Sequence, residues 1–582
     1  MSPIWGSYQI YAFFLFYLCF LIIICYTFIV GEKMKKNSLV EGTVVSYIMI
    51  LITKLMGAIY VIPFYRIIGK TGGVLYSYAY NIYNLFLNIS TSGIPTAVAI
   101  LIAEYNTLKM YNEREYTYKL ANKLIAIISF VSFFVMFVFA KQIGKFIIGD
   151  INGGNSLDDI AFVIRIISFC LLIIPFLSVT RGYLQGNKYI SISSTSQLIE
   201  QTVRLIVVLL GSYIAINLLN LGVTKGVGFA LAGAVVGGLS ALLFLKYKQR
   251  KNKEVLLKNV TSIDDSKVSS KEIIKKLIFY SVPVIIISIT QNIYEIIDQK
   301  FIIQGLYMIG YEAETCEFLS SIIITWAPKI CMVITALAAG LCTSIIPFIV
   351  SSYVKKDYES LNKKYNQAIN TILFIGMPLA AYLIFFARPV YEIFYVANEY
   401  GYIILRVLSI VSIIFSLQLV VNLILQGMKK YKLVYLNTIV GIIINTVLDI
   451  PLILLLNKFN FYPYIGSYIS TIIGQGIALI IVFVALKKEY KFRYFSIFKT
   501  FFRSLASIVV MIVLSFLLSR VLFKTNNNYI KIVHLAIAGI VTMASYLFIS
   551  YKTGSLYEIM GKDFVDKILI KLKLKKKAEI DK

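Results

Sequence analysis

Fourteen stretches of about 20 or more largely apolar residues recur along this chain, and they constrain its fold more than any other feature. A helix needs about 20 such residues to cross the hydrocarbon layer of a membrane. The runs fall at about 42–68, 76–103, 118–140, 158–180, 188–216, 223–245, 272–302, 317–350, 360–386, 398–426, 430–456, 463–486, 498–523 and 529–551. Each is far longer than the ~10-residue alternating strands of a membrane barrel. The spacing therefore predicts an all-α polytopic membrane protein of about 14 transmembrane helices. Composition agrees, since 59% of the 582 residues are apolar, 15% are charged and mean hydropathy is +0.80. A soluble chain carries about 25% charged residues to coat its domains. A soluble enzyme, a nucleic-acid-binding module and a disordered chain are excluded on that ground.

The net charge of +28 does not point to nucleic acid, because of where the charges fall. Loops on the cytoplasmic side of membrane proteins collect Lys and Arg. One alternate set of loops holds 41 of them and the other 11, with Lys54, Arg165, Arg204, Lys329 and Arg406 inside the runs. Residues 31–41, 246–276 and the tail after Tyr551 are thus expected in the cytoplasm, and the loops near 150–157 and 305–315 outside. The tail KILIKLKLKKKAEIDK alternates Lys with apolar residues and suits either anionic lipid or plain solvent. A further apolar stretch runs from Ile10 to Val30, without the charged start and small-residue cleavage site of a signal peptide. With Met34-Lys35-Lys36 behind it, residues 1–33 read as an N-terminal extension peripheral to the core. Cys19, Cys25, Cys170, Cys316, Cys331 and Cys342 form no CxxC pair, and His534 is the single histidine. Neither a metal site nor a disulfide framework is suggested, and no cofactor is implied.

Landmarks recur at a spacing near 240. Gln185-Gly186 with Lys188-Tyr189 returns as Gln426-Gly427 with Lys429 to Tyr431, Gly228 and Gly238 return as Gly466 and Gly476, and Thr53-Lys54 returns as Thr290-Gln291. Transporter folds are often built from such repeats. The reading is a lobe at 34–247 (spans 1–6), a cytoplasmic linker at 248–270, a second lobe at 271–487 (spans 7–12), two extra spans within 488–552 and a basic tail at 553–582. Six spans per half make the repeat parallel, with a cavity expected between the lobes.

The segment GAIYVIPFYRIIGKTGGVLYSYAYNIYNLFLNISTSGIPTAVA (57–99), with AEYN at 103–106, resembles the opening of the Gram-positive lipid II flippases of the MurJ type. RGYLQGNKY (181–189), LIEQTVR (198–204) and LQGMKKYK (425–432) are similar to further segments of that family, a pattern shared with stage V sporulation protein B. The resemblance covers most of 35–490. It places the chain in the polysaccharide flippase branch of the multidrug/oligosaccharidyl-lipid/polysaccharide exporter superfamily. It implies a MATE-like fold of two six-helix lobes plus two helices, in a bacterial plasma membrane. It also implies export of polyprenyl-diphosphate-linked sugars by alternating access, in peptidoglycan or another envelope polysaccharide pathway. Where Gram-negative members carry arginines in the first two spans, this chain reads Lys54, Tyr60 and Asn88.

Charged side chains inside the membrane cost about 2.5–3.5 kcal/mol each on insertion scales, so each needs a reason. Lys54 and Lys329 have no obvious partner on their own helices and are expected to face a cavity, where an ammonium suits a diphosphate. Glu200 and Arg204 stand one turn apart and can pair, as a structural couple or as part of the substrate site, with Asn445 and Asp449 at the approximate counterpart in the second half. Tyr80, Asn84 and Asn88 are expected to meet sugar. Gly93-Ile94-Pro95 is either a hinge or a close approach between helices. Glu295 and Asp298, three apart, are candidates for coupling to sodium or a proton. The expected partners are a polyprenyl-diphosphate-linked oligosaccharide and membrane lipid, with no nucleic acid, for a chain acting as a monomer. Two alternatives stand beside the flippase: a cation-coupled multidrug exporter of the same superfamily, and a polytopic lipid-linked glycosyltransferase or acyltransferase. The loops carry no catalytic constellation, so an enzyme is not expected.

Overall fold

The computed structural model describes residues 49, 52–54, 56–149, 154–257, 260, 268–523, 527–560 and 565–566. The apolar stretch at 10–30, Met34 to Lys36, most of the 258–267 linker and the tail from 567 lie outside the described residues. Every regular element among those described is helical. The order begins α1 (Val61–Thr91), α2 (Gly93–Thr107), α3 (Tyr111–Val138), α4 (Leu157–Ser168), α5 (Ile174–Gly186), α6 (Ile190–Tyr213) and α7 (Val223–Lys251). It continues with α8 (Ser270–Met308), α9 (Ala313–Ser321), α10 (Ala327–Val354), α11 (Tyr358–Phe385), α12 (Glu399–Gly427), α13 (Tyr431–Lys458), α14 (Gly466–Tyr490), α15 (Phe495–Val521) and α16 (Asn528–Lys552). Twelve helices among the described residues are long and apolar enough to cross a membrane. The run at 42–68 is described only in part, and the run at 272–302 is the 39-residue helix α8.

The interruptions have chemical causes. Inside α1, Gly69 takes φ 66° and ψ −167°, a turn that separates the first apolar run from the second. Glycine enters that region at no steric cost. A 3₁₀ turn at Phe169–Leu172 parts α4 from α5 just before Pro175, and a π-helical turn at Ile322–Trp326 joins α9 to α10 just before Pro328. A proline offers no N–H to the preceding turn, so the helix rewinds there.

The turns repeat along with the sequence. Lys109 and Lys356, Lys188 and Lys429, and Asn220 and Asn460 all adopt positive φ, in pairs 247, 241 and 240 residues apart. After each of these lysines the next residue donates its N–H to the carbonyl five positions back: Met110 to Tyr105 (2.8 Å), Tyr189 to Leu184 (2.9 Å), Asp357 to Ser352 (3.0 Å) and Lys430 to Leu425 (2.8 Å). This is the closure of a Schellman-type helix end. Gln185-Gly186 and Gln426-Gly427 thus end their helices in the same way.

The described residues pack into two compact units. One runs through Ile303 and adds Tyr311–Ser321; the other holds Gln304–Gly310 and the residues from Ile322 onward. In the first unit, Ile94, Val98, Leu101 and Tyr105 of α2 form a core with Leu177, Tyr183 and Leu184 of α5 and with Ile273 and Leu277 of α8. The most extensively packed helix pair in this unit is α6 with α7, and in the second it is α13 with α14. Glycines set both distances. A Cβ on Gly237 would lie 2.6 Å from the Glu200 carbonyl oxygen, and one on Gly474 would lie 2.7 Å from that of Gly441. Those obstacles are backbone atoms and cannot swing aside. Gly237→Ala is therefore expected to cost about 1–3 kcal/mol, the usual penalty of overpacking. Thermal unfolding of purified protein checks this, and a variant as stable as the parent would refute it.

Candidate functional site

In the first unit, the Gly69 turn folds the end of the first run back along α1 and brings Tyr60 against Tyr76, with hydroxyl oxygens 3.3 Å apart. Phe64 packs edge-on to Tyr76 at 5.1 Å, Tyr76 stacks on Tyr80 at 5.5 Å, and Tyr80 lies 6.3 Å from Tyr83. Arg204 of α6 enters this aromatic wall. Its guanidinium carbon is 5.7 Å from the centre of the Tyr80 ring, and its charge lies close to Tyr76. Aromatic faces attract a guanidinium through their quadrupole, so the wall holds the cation without cancelling its charge. Tyr80 and Arg204 both stay partly accessible.

Glu200 and Arg204 do not form the expected pair. The Glu200 carboxylate instead meets Arg181 of α5 at 2.8 Å, and Arg181 also donates to the Ser196 hydroxyl at 2.7 Å. The cause is the packing of α7. Gly237 presses on the Glu200 carbonyl and Gly233 on that of Arg204, which fixes how α6 is turned. Glu200 then faces α5, while Arg204 faces the tyrosines. Two arginines and one glutamate leave this patch one positive charge in excess. The register of the second half also shifts: Gly474 approaches Gly441 and Asn445, so these stand where Glu200 and Arg204 stand in the first. Asp449 corresponds to the next turn.

The remaining expected residues fall as follows. Lys54 lies in helical backbone, half-buried, and makes no ion pair among the described residues. Tyr80, Asn84 and Asn88 follow one another at intervals of four on α1, so they share a face, and all three are partly accessible. Gly93 lets α8 approach: its absent Cβ would lie 2.5 Å from the Ser281 carbonyl oxygen. The Pro95 carbonyl in turn sits against Gly182 of α5. Helical backbone continues through Ser92 with φ −85° and ψ −49°. On α8, Asp298 is buried and Glu295 partly so, and both are engaged in further interactions. Beside them Gln299 contacts Asn81 at 3.2 Å and Ser77 at 3.3 Å, tying α8 to α1.

In the second unit, Lys329 follows the π-helical turn and places its ammonium 4.2 Å from the Trp326 ring centre. Trp326 is fully buried, and its carbonyl accepts the Tyr395 hydroxyl at 2.7 Å. Asn445 and Asp449, one turn apart on α13, are completely buried against α14. Asn445 donates to Asp449 at 3.3 Å and accepts from Ser470 at 2.9 Å and Thr471 at 3.0 Å, and Ser470 also bonds Asp449. A carboxylate held by hydroxyls and amides inside the membrane is costly, and such groups are kept for a purpose. On another face of this unit, α11, α12 and α15 enclose a wholly apolar groove of about 610 Å³, lined by Leu373, Met377, Ala381, Ile414, Phe501 and Leu505 among others.

Residues 39–313 match the family model described as polysaccharide biosynthesis protein, and residues 283–450 match the MatE model. Together these span well over half of the chain. Over most of its length the chain is thus similar to polysaccharide biosynthesis proteins and to MatE proteins. A curated relative, lipid II flippase MurJ of Bacillus subtilis (strain 168), is 29% identical over 90% of this chain and 97% of its own length. Among solved structures, lipid II flippase MurJ in an inward closed conformation aligns with a TM-score of 0.58 at 15% identity, over 89% of this chain and 99% of that one. An inward-facing multidrug resistance MATE transporter aligns with a TM-score of 0.57 at 17% identity, over 75% of this chain and 98% of that one. The MATE-like all-helical fold and the resemblance read from 57–99 both hold. With twelve helices fit to cross a membrane among its described residues, this homologue of a lipid II flippase is a multi-pass membrane protein.

Two groups of residues escaped the sequence reading. Arg181 stands inside the quoted RGYLQGNKY segment, yet nothing in its spacing announces a partner nineteen residues on. Ser470 and Thr471 are ordinary hydroxyls in an apolar run, and only the pairing of α13 with α14 gives them a role.

Proposed function

We propose that this protein is a flippase for polyprenyl-diphosphate-linked sugars, lipid II or a related envelope precursor, and not an enzyme. The observation that carries the reading is the Arg204 cluster, with its tyrosine wall and the Arg181–Glu200 pair beside it. A guanidinium offers a planar fork of donors that matches phosphate oxygens. Tyrosine rings present flat faces to sugars and hydroxyls to their oxygens. Lys54 and Lys329 add one ammonium in each sequence half. Tyr80, Asn84 and Asn88 extend the polar face along α1 for the sugars, and Gly93 with Pro95 is the proposed flexing point. The apolar groove of α11, α12 and α15 suits a long hydrocarbon tail. Alternating access between lobes 34–247 and 271–487 carries the headgroup outward, with the tail of the chain in the cytoplasm. A membrane potential positive outside favours outward movement of phosphate by about 2.3 kcal/mol per charge per 100 mV. Glu295 and Asp298 remain the proposed place for sodium or proton coupling.

A multidrug exporter of organic cations would want an acidic pocket, and the Arg204 patch is basic. The deciding experiment is complementation of a bacterial strain depleted of its lipid II flippase, with lipid-linked precursor measured in each leaflet. Restored growth and outward precursor are expected. Inserted protein that leaves precursor inside but confers drug resistance would decide for the exporter. In the same assay Ala381→Trp, which fills the groove, is expected to slow flipping about tenfold, the factor that corresponds to 1.4 kcal/mol. An unaffected rate would remove the groove from the substrate path.

A further inference from the structure

At the end of the first unit opposite its lysine-bearing turns, Glu317 of α9 is buried to 1% exposure. One of its carboxylate oxygens, Oε2, accepts both the backbone N–H of Asn155 at 3.2 Å and its side-chain amide at 2.9 Å. The other, Oε1, is buried and has no hydrogen-bond partner among the described residues. Glu317 lines a cavity of about 170 Å³ together with Lys70, Thr71, Asn155, Glu314 and Phe318. The chain makes room for this oxygen. Gly154 stands beside it at φ 85°, and a Cβ there would lie 2.5 Å from Oε1. The Tyr78 hydroxyl, also buried and without a hydrogen-bond partner among the described residues, lies within the electrostatic reach of Glu317.

A buried carboxylate oxygen beside a cavity is costly unless something meets its lone pairs. The other polar groups of the lining are the Thr71 hydroxyl, the Asn155 side-chain carbonyl and, at the rim, the exposed Glu314 carboxylate. These are hard oxygen donors, with neither sulfur nor imidazole among the lining residues, which suits sodium- or calcium-type ions and not transition metals. The volume holds one such ion together with several waters, each of which takes about 30 Å³. Lys70 makes no ion pair with Glu317 among the described residues, and its ammonium rests 5.1 Å from the centre of the Phe318 ring.

We propose that this cavity binds a hard metal cation, with Glu317 as its central ligand. The ion joins α9 to the loop at Gly154–Asn155 and to the start of the second run at Thr71. Both loops are those that the charge distribution assigns to the outer face, so the ion comes from the external medium. The site is independent of which sugar lipid the protein carries. Lys70, exposed at the rim, opposes the ion electrostatically and sets its affinity.

Hydrogen exchange of the full-length protein in detergent tests this, with sodium chloride or calcium chloride against choline chloride at equal ionic strength. Peptides covering 154–160 and 313–321 are expected to exchange about tenfold more slowly when the ion stands at ten times its Kd. The salt that produces this effect identifies the ion. Glu317→Gln should abolish the response, Asn155→Ala should weaken it, and Lys70→Gln should tighten it. Failure of both salts to slow exchange would overturn the site. So would an equal response in a folded Glu317→Gln variant. If that variant does not fold, a Lys70→Gln response no tighter than the parent's overturns it instead.

Discussion

Arg204→Ala is expected to abolish flipping at normal protein levels, while Arg204→Lys retains a fraction of it. The guanidinium is set over Tyr80, with its charge uncancelled because Glu200 is taken by Arg181. Truncating one partner of a desolvated, hydrogen-bonded charge pair costs roughly 2–5 kcal/mol. Applied to a diphosphate headgroup, that is a loss of about thirty-fold to several thousand-fold. Lysine restores the charge but not the planar fork, so a part of the loss should persist. The tyrosine wall survives the change, since Tyr60, Phe64, Tyr76 and Tyr80 pack on one another. Thermal unfolding near that of the parent is therefore expected beside the lost transport. Full complementation by Arg204→Ala would show that phosphate is bound elsewhere, and Lys54 and Lys329 would then come first.

What could be read from the sequence follows the range of the forces involved. Membrane helices announce themselves because each must satisfy its own backbone hydrogen bonds within one uninterrupted apolar run. The runs at 398–426 and 430–456 accordingly match α12 and α13 to within two residues. The turns between them were legible for the same local reason, as Gln185-Gly186 and Gln426-Gly427 show. Partner choice was not legible. Spacing says that Glu200 and Arg204 share a face of α6, yet the glycines of α7 decide what that face meets, and Gly233 and Gly237 lie 29 and 37 residues from the carbonyls they touch. Gly93 shows a second limit. A glycine beside a proline reads equally as a flexing point or a close approach, and the Ser281 carbonyl against it is a contact that no local pattern encodes.

Asp449→Ala is expected to destabilise the protein by about 2–4 kcal/mol, whereas Asp449→Asn loses far less. The site is completely buried between α13 and α14, where Gly474 lets the two backbones touch beside Asn445. Alanine would leave the Asn445 amide without the acceptor it now has at 3.3 Å, and would remove the carboxylate that Ser470 bonds. A hydrogen bond to a charged group is worth about 1.5–3 kcal/mol, and the vacated volume adds a cavity term. Water cannot repair either loss readily at this depth. Asparagine keeps the volume and one carbonyl acceptor, so it keeps most of the stability while losing the charge. The two variants therefore separate the roles of shape and charge. Thermal unfolding in detergent measures the first, and outward precursor in the depleted strain measures the second. If Asp449→Asn is stable but transports poorly, the charge itself takes part in the cycle. If it transports normally, Asp449 is a packing residue that fixes α13 to α14. An Asp449→Ala variant as stable as the parent would contradict the hydrogen-bond arrangement on which both readings stand.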